Sequence, residues 1–245
     1  MKLLKPSLNL ILVLLSFTAL SQVSKSSNEK KFSIGVAFSP DYSFRRLHSK
    51  NEESDFLKDT RNQFESAKFG YTTGLVAKYR LNRRLALESG LKLSDKGEKY
   101  VMRKEDFVFV DGLSIEDDPS SPEKYKTNYH FYYLGLPVKL NYIFLDRKVS
   151  LFVSAGFSTD LFLEGKQSSV FHFEDRTEES SFSMEGDYNK ITFSGLAGVG
   201  METQISERIH IRIEPIFRYS FTPLIDIPLK EYLYSVGGNL TLFYN

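Results

Sequence analysis

The chain has no cysteine among its 245 residues. Disulfides and a lipid-modified N-terminal cysteine are therefore excluded, and an exported form must be stable without covalent staples. Long apolar runs are missing too. The longest candidate, Leu8 to Phe17, falls short of the roughly 18 consecutive apolar residues that a spanning helix needs, so a helical membrane protein is excluded. There is also no excess of charge of one sign. Lys and Arg total 32 against 31 Asp and Glu, which leaves no electrostatic case for nucleic acid as a partner. His48, His130, His172 and His210 are scattered, with no HExxH or other metal-ligand spacing around them. Glycines Gly195, Gly198 and Gly200 sit in a strand pattern rather than before a helix, so they form no phosphate loop. No residue is nominated as catalytic, cofactor-binding or metal-ligating, and no cofactor is implied.

The N-terminus carries Lys2 and Lys5, the short apolar run, and then Ala19-Leu20-Ser21. This is the layout of a secretory signal peptide, expected over residues 1–21 with cleavage before Gln22. A polar tether, QVSKSSNEK, is expected over 22–30, followed by one domain over 31–245. Removing Lys2 and Lys5 leaves 30 basic against 31 acidic residues, so the processed chain stays near neutral.

What the sequence does have is alternation. From His130, apolar residues recur at every second position as Tyr132, Leu134, Leu136, Val138, Leu140, Tyr142 and Phe144. After the LDRK turn the same period resumes with Val149, Leu151, Val153, Ala155, Phe157, Leu161 and Leu163. Period two means strand, and two long strands joined by four residues mean an antiparallel hairpin. Six more segments alternate alike: 32–44, 69–81, 85–93, 191–201, 209–219 and 232–244. Their lengths approach the roughly 9–11 tilted residues that cross a bilayer.

Connections between the eight run long, short, long, short, long, short, long, which is how outer-membrane barrels are built. The short turns repeat as LNRRLAL, LDRKVSL and ISERIHI. With an even strand count, both chain ends are expected on the short-turn side. The expected fold is all-β, an eight-stranded antiparallel up-and-down transmembrane barrel. Segments 99–110 and 169–175 offer an alternative in which strands lengthen or an added hairpin makes ten.

Charged strand residues fall on the parity opposite the bulky apolar set: Asp41, Lys78, Arg80, Arg84, Glu88, Lys92, Lys139, Asp160, Glu202, Arg208, Arg212, Glu214 and Arg218. A soluble barrel shows this pattern inside out, so volume decides. Eight strands enclose room for side chains or one small ligand. Six bulky residues per strand cannot fit there, whereas the Gly, Ser and Thr of the other parity can. The apolar parity is therefore expected to face lipid, with Phe69, Tyr79, Tyr132, Phe144, Tyr232 and Tyr244 in interfacial girdles.

Unpaired buried charge costs several kcal/mol, so the inward charges are expected to pair and plug the lumen, as Arg80 with Glu88, or Arg212 and Arg218 with Glu202 and Glu214. Pro137 and Pro215 remove ladder donors and predict bulges or distorted pairing. Loop clusters Glu116-Asp117-Asp118, Glu174-Asp175 and Glu178-Glu179 lack calcium-loop spacing and read as solvated charge.

A signal peptide ending in Ser-Gln, the opening FSIGVAFSPDYSF, the LESGLKLSDKG segment and above all YYLGLPVKLNY resemble the PorT-like outer-membrane β-barrel family of Gram-negative bacteria. The resemblance spans roughly Lys31 to Asn245. It implies an outer-membrane location, with outer-membrane lipids and envelope or secretion-system proteins as partners. The name-giving member is associated with type IX secretion and gliding. The shared motifs are strand and turn patterns and carry no catalytic residues. A non-enzymatic barrel presenting surface loops is the expected function, with a secretion-associated role as an alternative and a lipid or peptide hydrolase as a further one.

Overall fold

Strand geometry follows the alternation in each of the eight segments expected from the sequence. A computed structural model describes residues 31–104, 106 and 122–245. The expected signal peptide over 1–21, the tether over 22–30 and the Glu116-Asp117-Asp118 cluster lie outside the described residues. The strands are β1 (Phe32–Ser49), β2 (Glu65–Arg80), β3 (Leu85–Lys96), β4 (Glu98–Arg103), β5 (Lys124–Leu145), β6 (Val149–His172), β7 (Thr177–Met184), β8 (Ile191–Ser206), β9 (Ile209–Ser220) and β10 (Leu229–Tyr244). A helix, α1, covers Glu52–Phe64.

Eight strands close into an antiparallel ring in the order β1-β2-β3-β5-β6-β8-β9-β10. Closure is made by β1 and β10, paired from Ile34↔Tyr244 to Ser49↔Leu229. A closed ring has no unpaired edge, which the hydrocarbon of a bilayer demands. Strands β4 and β7 stand outside the ring's eight. β4 continues β3 beyond Gly97 and pairs with both β2 and β5, while β7 folds back on the far end of β6. Segments 99–103 and 169–172 thus lengthen the wall and help add a hairpin, and the ring stays at eight.

Gly97 makes the step from β3 to β4. Its φ of 140° is open to glycine and strained for other residues. Pairing with β2 shifts by one residue across it, from Tyr71↔Asp95 to Ala67↔Glu98, as a β-bulge requires. The hydroxyl of Ser43 pins the bulge, accepting from Gly97 N at 3.1 Å and donating to Gly97 O at 2.9 Å.

Prolines act as their missing donor dictates. Around Pro137 the β3–β5 ladder jumps from Ser89↔Val138 to Lys92↔Gly135. Around Pro215 the β8–β9 ladder jumps from Gly198↔Ile216 to Met201↔Ile213. In both cases pairing is interrupted and register is kept, so the distortion is a gap rather than a bulge.

The two parities face opposite ways. On the outside, Phe38, Leu75, Leu136, Phe157, Phe193 and Val236 are each half or more exposed. Together with their neighbours they form a continuous apolar band, far larger than a water-soluble monomer tolerates. Phe69, Tyr79, Phe144 and Tyr244 stand exposed at the strand ends, where girdle residues belong. Inside, Lys139 is 1% exposed and Glu214 0%. Of the thirteen charged strand residues, Arg84 and Arg208 are exposed and Arg80 partly exposed at the short turns, and the rest are enclosed.

Candidate functional site

Because small and charged residues alternate with the lipid-facing set, every strand sends polar groups into one narrow lumen. Ion pairs fill it from the short-turn end upward. Near that end, Glu202 accepts from Lys78 Nζ at 2.5 Å and from Arg212 Nε at 2.9 Å. Arg212 also reaches Glu88 on the far wall. Inward Phe152 and Phe243 pack under these cations, with the Arg212 guanidinium 4.4 Å from the Phe152 ring centre and the Lys78 ammonium 4.3 Å from that of Phe243.

At mid-height Lys139 lies between two carboxylates, 2.7 Å from Glu214 and 3.1 Å from Glu88. Glu214 also accepts from Ser154 Oγ at 2.5 Å and Asn239 Nδ2 at 3.0 Å. Higher up, Arg218 pairs with Asp41 at 2.7 Å and Lys96 with Asp160 at 2.8 Å. Burial in low dielectric makes such pairs costly to break, since a lost partner strands the other charge.

Two of the pairings read from the sequence differ. Arg80 does not meet Glu88; its Nη2 lies 3.8 Å from Asp146 at the next short turn, because Arg80 is partly exposed at the end of β2 while Glu88 sits deep inside. Arg218 takes Asp41, and Glu214 takes Lys139, because the barrel's curvature brings β9 opposite β1 and β5 respectively. Arg212 with Glu202 forms as read.

Above the ionic layers the contents turn apolar. Phe131, Tyr133, Phe162, Leu224 and Leu233 form a buried cluster across the outer mouth, with Tyr129, Met184 and Tyr188 packed on it. Rings Phe162 and Tyr188 stack at 4.8 Å. This plug was not foreseen from the sequence, though Phe131 and Tyr133 already sat on the inward parity.

Helix α1 covers part of the same mouth, in what reads from the sequence as a charged loop. Asn51 caps it, its side chain accepting from Ser54 N at 3.0 Å. Its last turn is anchored ionically: Arg61 Nε is 2.6 Å from Glu65, and Arg61 Nη2 is 2.9 Å from Glu231 and 3.6 Å from Glu98. Arg45 donates to Glu65 at 2.6 Å and to Asn62 at 2.8 Å. Three carboxylates thus share two guanidinium groups above the apolar band. Burial, with the negative charges of Glu231 and Glu65, pushes the Glu98 carboxyl well above the usual carboxylate range. Burial also raises Glu231, against the pull of Arg61.

The four histidines stay apart. His130 lies near the outer rim with Nδ1 2.8 Å from Lys68 Nζ and 3.0 Å from Asp95, and no hydroxyl bonds to its ring among the described residues. His210 Nδ1 is 3.7 Å from Glu202 near the short turns. His172 is on the projecting part of β6 and contacts Thr177 at 3.3 Å. His48 is at the end of β1. Among the described residues no group of three or more His, Asp or Glu is placed to hold a metal ion.

A closed eight-stranded ring with an apolar exterior and an ionic interior is a transmembrane β-barrel of the outer membrane. The family described as "Outer membrane protein beta-barrel domain" matches residues 20–227, and the chain belongs to that family. Among solved structures it is similar to Neisserial surface protein A, at 9% identity and a TM-score of 0.41, covering 87% of this chain and 97% of that one. It is similar to the attachment invasion locus protein Ail of Yersinia pestis at 12% identity and 0.37, covering 86% and 99%. It is also similar to OprG of Pseudomonas aeruginosa at 10% identity and 0.35, covering 86% and 94%. No curated protein sequence matches the chain.

Proposed function

We propose that this protein is a non-conducting, non-enzymatic anchor that holds an extended sheet above the outer membrane for contact with another envelope protein. The observation that carries this reading is strand length. β5 has 22 residues and β6 has 24, about twice what a bilayer crossing uses. The excess of roughly ten residues projects on the order of 30 Å along the strand direction. There β7 extends the sheet, paired with β6 from Gly165↔Met184 to His172↔Thr177, and its other edge pairs with no strand among the described residues. Every residue of β7 except Met184 is exposed, Phe182 included. An exposed strand edge is a template for strand addition by a partner, main chain to main chain.

The sealed lumen and its apolar plug support the non-conducting part. For the non-enzymatic part, the support is that His130 is shared between Asp95 and Lys68, with no nucleophile bonded to it among the described residues. A secretion-associated role as in the PorT-like barrels rests on the sequence resemblance and would make the partner a component of that machinery.

A photo-crosslinking residue at Phe182 in intact cells tests the proposal. A discrete protein adduct from the folded surface-exposed barrel is expected, and discrete ion conductance is absent in planar bilayers. Folded barrel without an adduct, or with open-channel steps, contradicts the anchor reading.

A further inference from the structure

We infer that the lumen carries a binding site for one small monatomic anion, of chloride or bromide size, beside Lys92. Lys92 is 7% exposed and lies within the apolar band, yet it has no hydrogen bond and no carboxylate oxygen within 4.0 Å among the described residues. The other lumenal cations are all matched: Lys78, Lys96, Lys139, Arg212 and Arg218 each contact a carboxylate, as does Lys68 near the rim. The inward carboxylates Asp41, Glu88, Asp95, Asp160, Glu202 and Glu214 are all engaged in those contacts. Below the mouth, one positive charge is left over among the described residues.

A second observation places the missing partner. Lys92 lines a cavity of about 20 Å³, and Arg218 lines the same cavity. Arg218 gives Nη1 to Asp41, while its Nη2 is buried and has no hydrogen-bond partner among the described residues. Two unspent cationic donors therefore border one void, with Thr72 and Ser94 hydroxyls on its wall.

Water alone would hydrate these donors without neutralising the extra charge, and an isolated charge in a low-dielectric interior is costly. A monatomic anion does both. The void exceeds the roughly 10–15 Å³ that one water needs, which leaves room for a single small ion. Lys96 and Lys139 also line the cavity, with Asp160 as the one carboxylate on its wall, so cationic side chains outnumber carboxylates there and disfavour a cation.

The test uses the detergent-purified or bilayer-reconstituted barrel. Crystals grown in sodium bromide are expected to show one anomalous peak within hydrogen-bonding distance of Lys92 Nζ and Arg218. Water-only density in the cavity, without such a peak, overturns the inference. In parallel, the thermal midpoint is followed as chloride replaces gluconate at constant ionic strength. A saturable rise is expected, and its loss in Lys92→Met. A midpoint indifferent to the anion in the parent protein overturns the inference as well. Should Lys92→Met fail to fold, the bromide peak and the titration of the parent decide the question by themselves.

Discussion

Replacing Lys139 by Met removes the central cation of the lumen and keeps most of its volume. Its ammonium is 1% exposed and bridges Glu214 at 2.7 Å and Glu88 at 3.1 Å. Glu88 retains Arg212, so the stranded group is Glu214, left with only the donors Ser154 and Asn239. An uncompensated buried charge of this kind costs about 3–5 kcal/mol, whereas the same pair in a water-filled pore contributes only ~0–1 kcal/mol. The double variant Lys139→Met/Glu214→Met removes the stranded charge along with its bonds from Ser154 and Asn239, and exchanging a buried ion pair for apolar side chains of similar volume is often near neutral. It should therefore return to within about 2 kcal/mol of the parent. The chain has no tryptophan, so equilibrium urea unfolding in lipid vesicles is read by β-sheet circular dichroism. A Lys139→Met barrel within about 1 kcal/mol of the parent would refute a dry lumen, and so would a double variant less stable than the single.

Three further outcomes follow from the same structure. Leu136→Arg sets a charge on the lipid face at mid-strand, where Leu136 is 55% exposed, and should cost about 2–4 kcal/mol in the same unfolding assay; no loss would mean that this face meets water. Glu98 has a folded-state carboxyl raised above its ordinary value of 4.5, so its stabilising contribution is complete below that value and is lost as pH rises through the raised one. Hydrogen exchange in α1 should therefore quicken as pH is raised from 4 to 8, after correction for intrinsic rates, and Glu98→Gln should flatten the trend. A slope that Glu98→Gln leaves unchanged would remove Glu98 as its source. Gly97→Val forces a β-branched residue to a φ of 140°, at about 1–3 kcal/mol, and should raise exchange in β4 and α1 while sparing β9; protection unchanged in β4 would contradict the bulge.

The wall was legible because its rule is local. Alternation at period two, as from Tyr132 to Phe144, needs no knowledge of neighbours, and short turns at 81–84 and 146–148 announce themselves by polar pairs between alternating runs. Pair identities were not legible, because a lumenal contact joins residues far apart in sequence, as with Lys139 and Glu214. Strand tilt decides which inward positions share a level, and sequence spacing does not encode it. The missed helix had one local signal, Asn51 three residues before Ser54, followed by helix-spaced charges such as Asp55 with Lys58. Its apolar content is too small for a core-facing stripe, and its docking depends on Arg61 reaching Glu231 across the mouth. β7 was hidden likewise, since TEESSFSM buries nothing and owes its strand form to β6. For the histidines, the sequence reading and the structure agree that they are dispersed, while the contact of His130 with Asp95 and Lys68 required three strands to meet.

Absence of cysteine makes one experiment clean: nitroxides on single cysteines placed one at a time from Tyr133 to Tyr142 in β5, in reconstituted bilayers. Oxygen, which partitions into lipid, should relax labels at 134, 136, 138, 140 and 142 and leave 133, 135, 137, 139 and 141 protected from both oxygen and a water-soluble nickel chelate. Labels at the even positions relaxed by the chelate, with the odd ones in lipid, would turn the barrel inside out and contradict its assignment to the membrane.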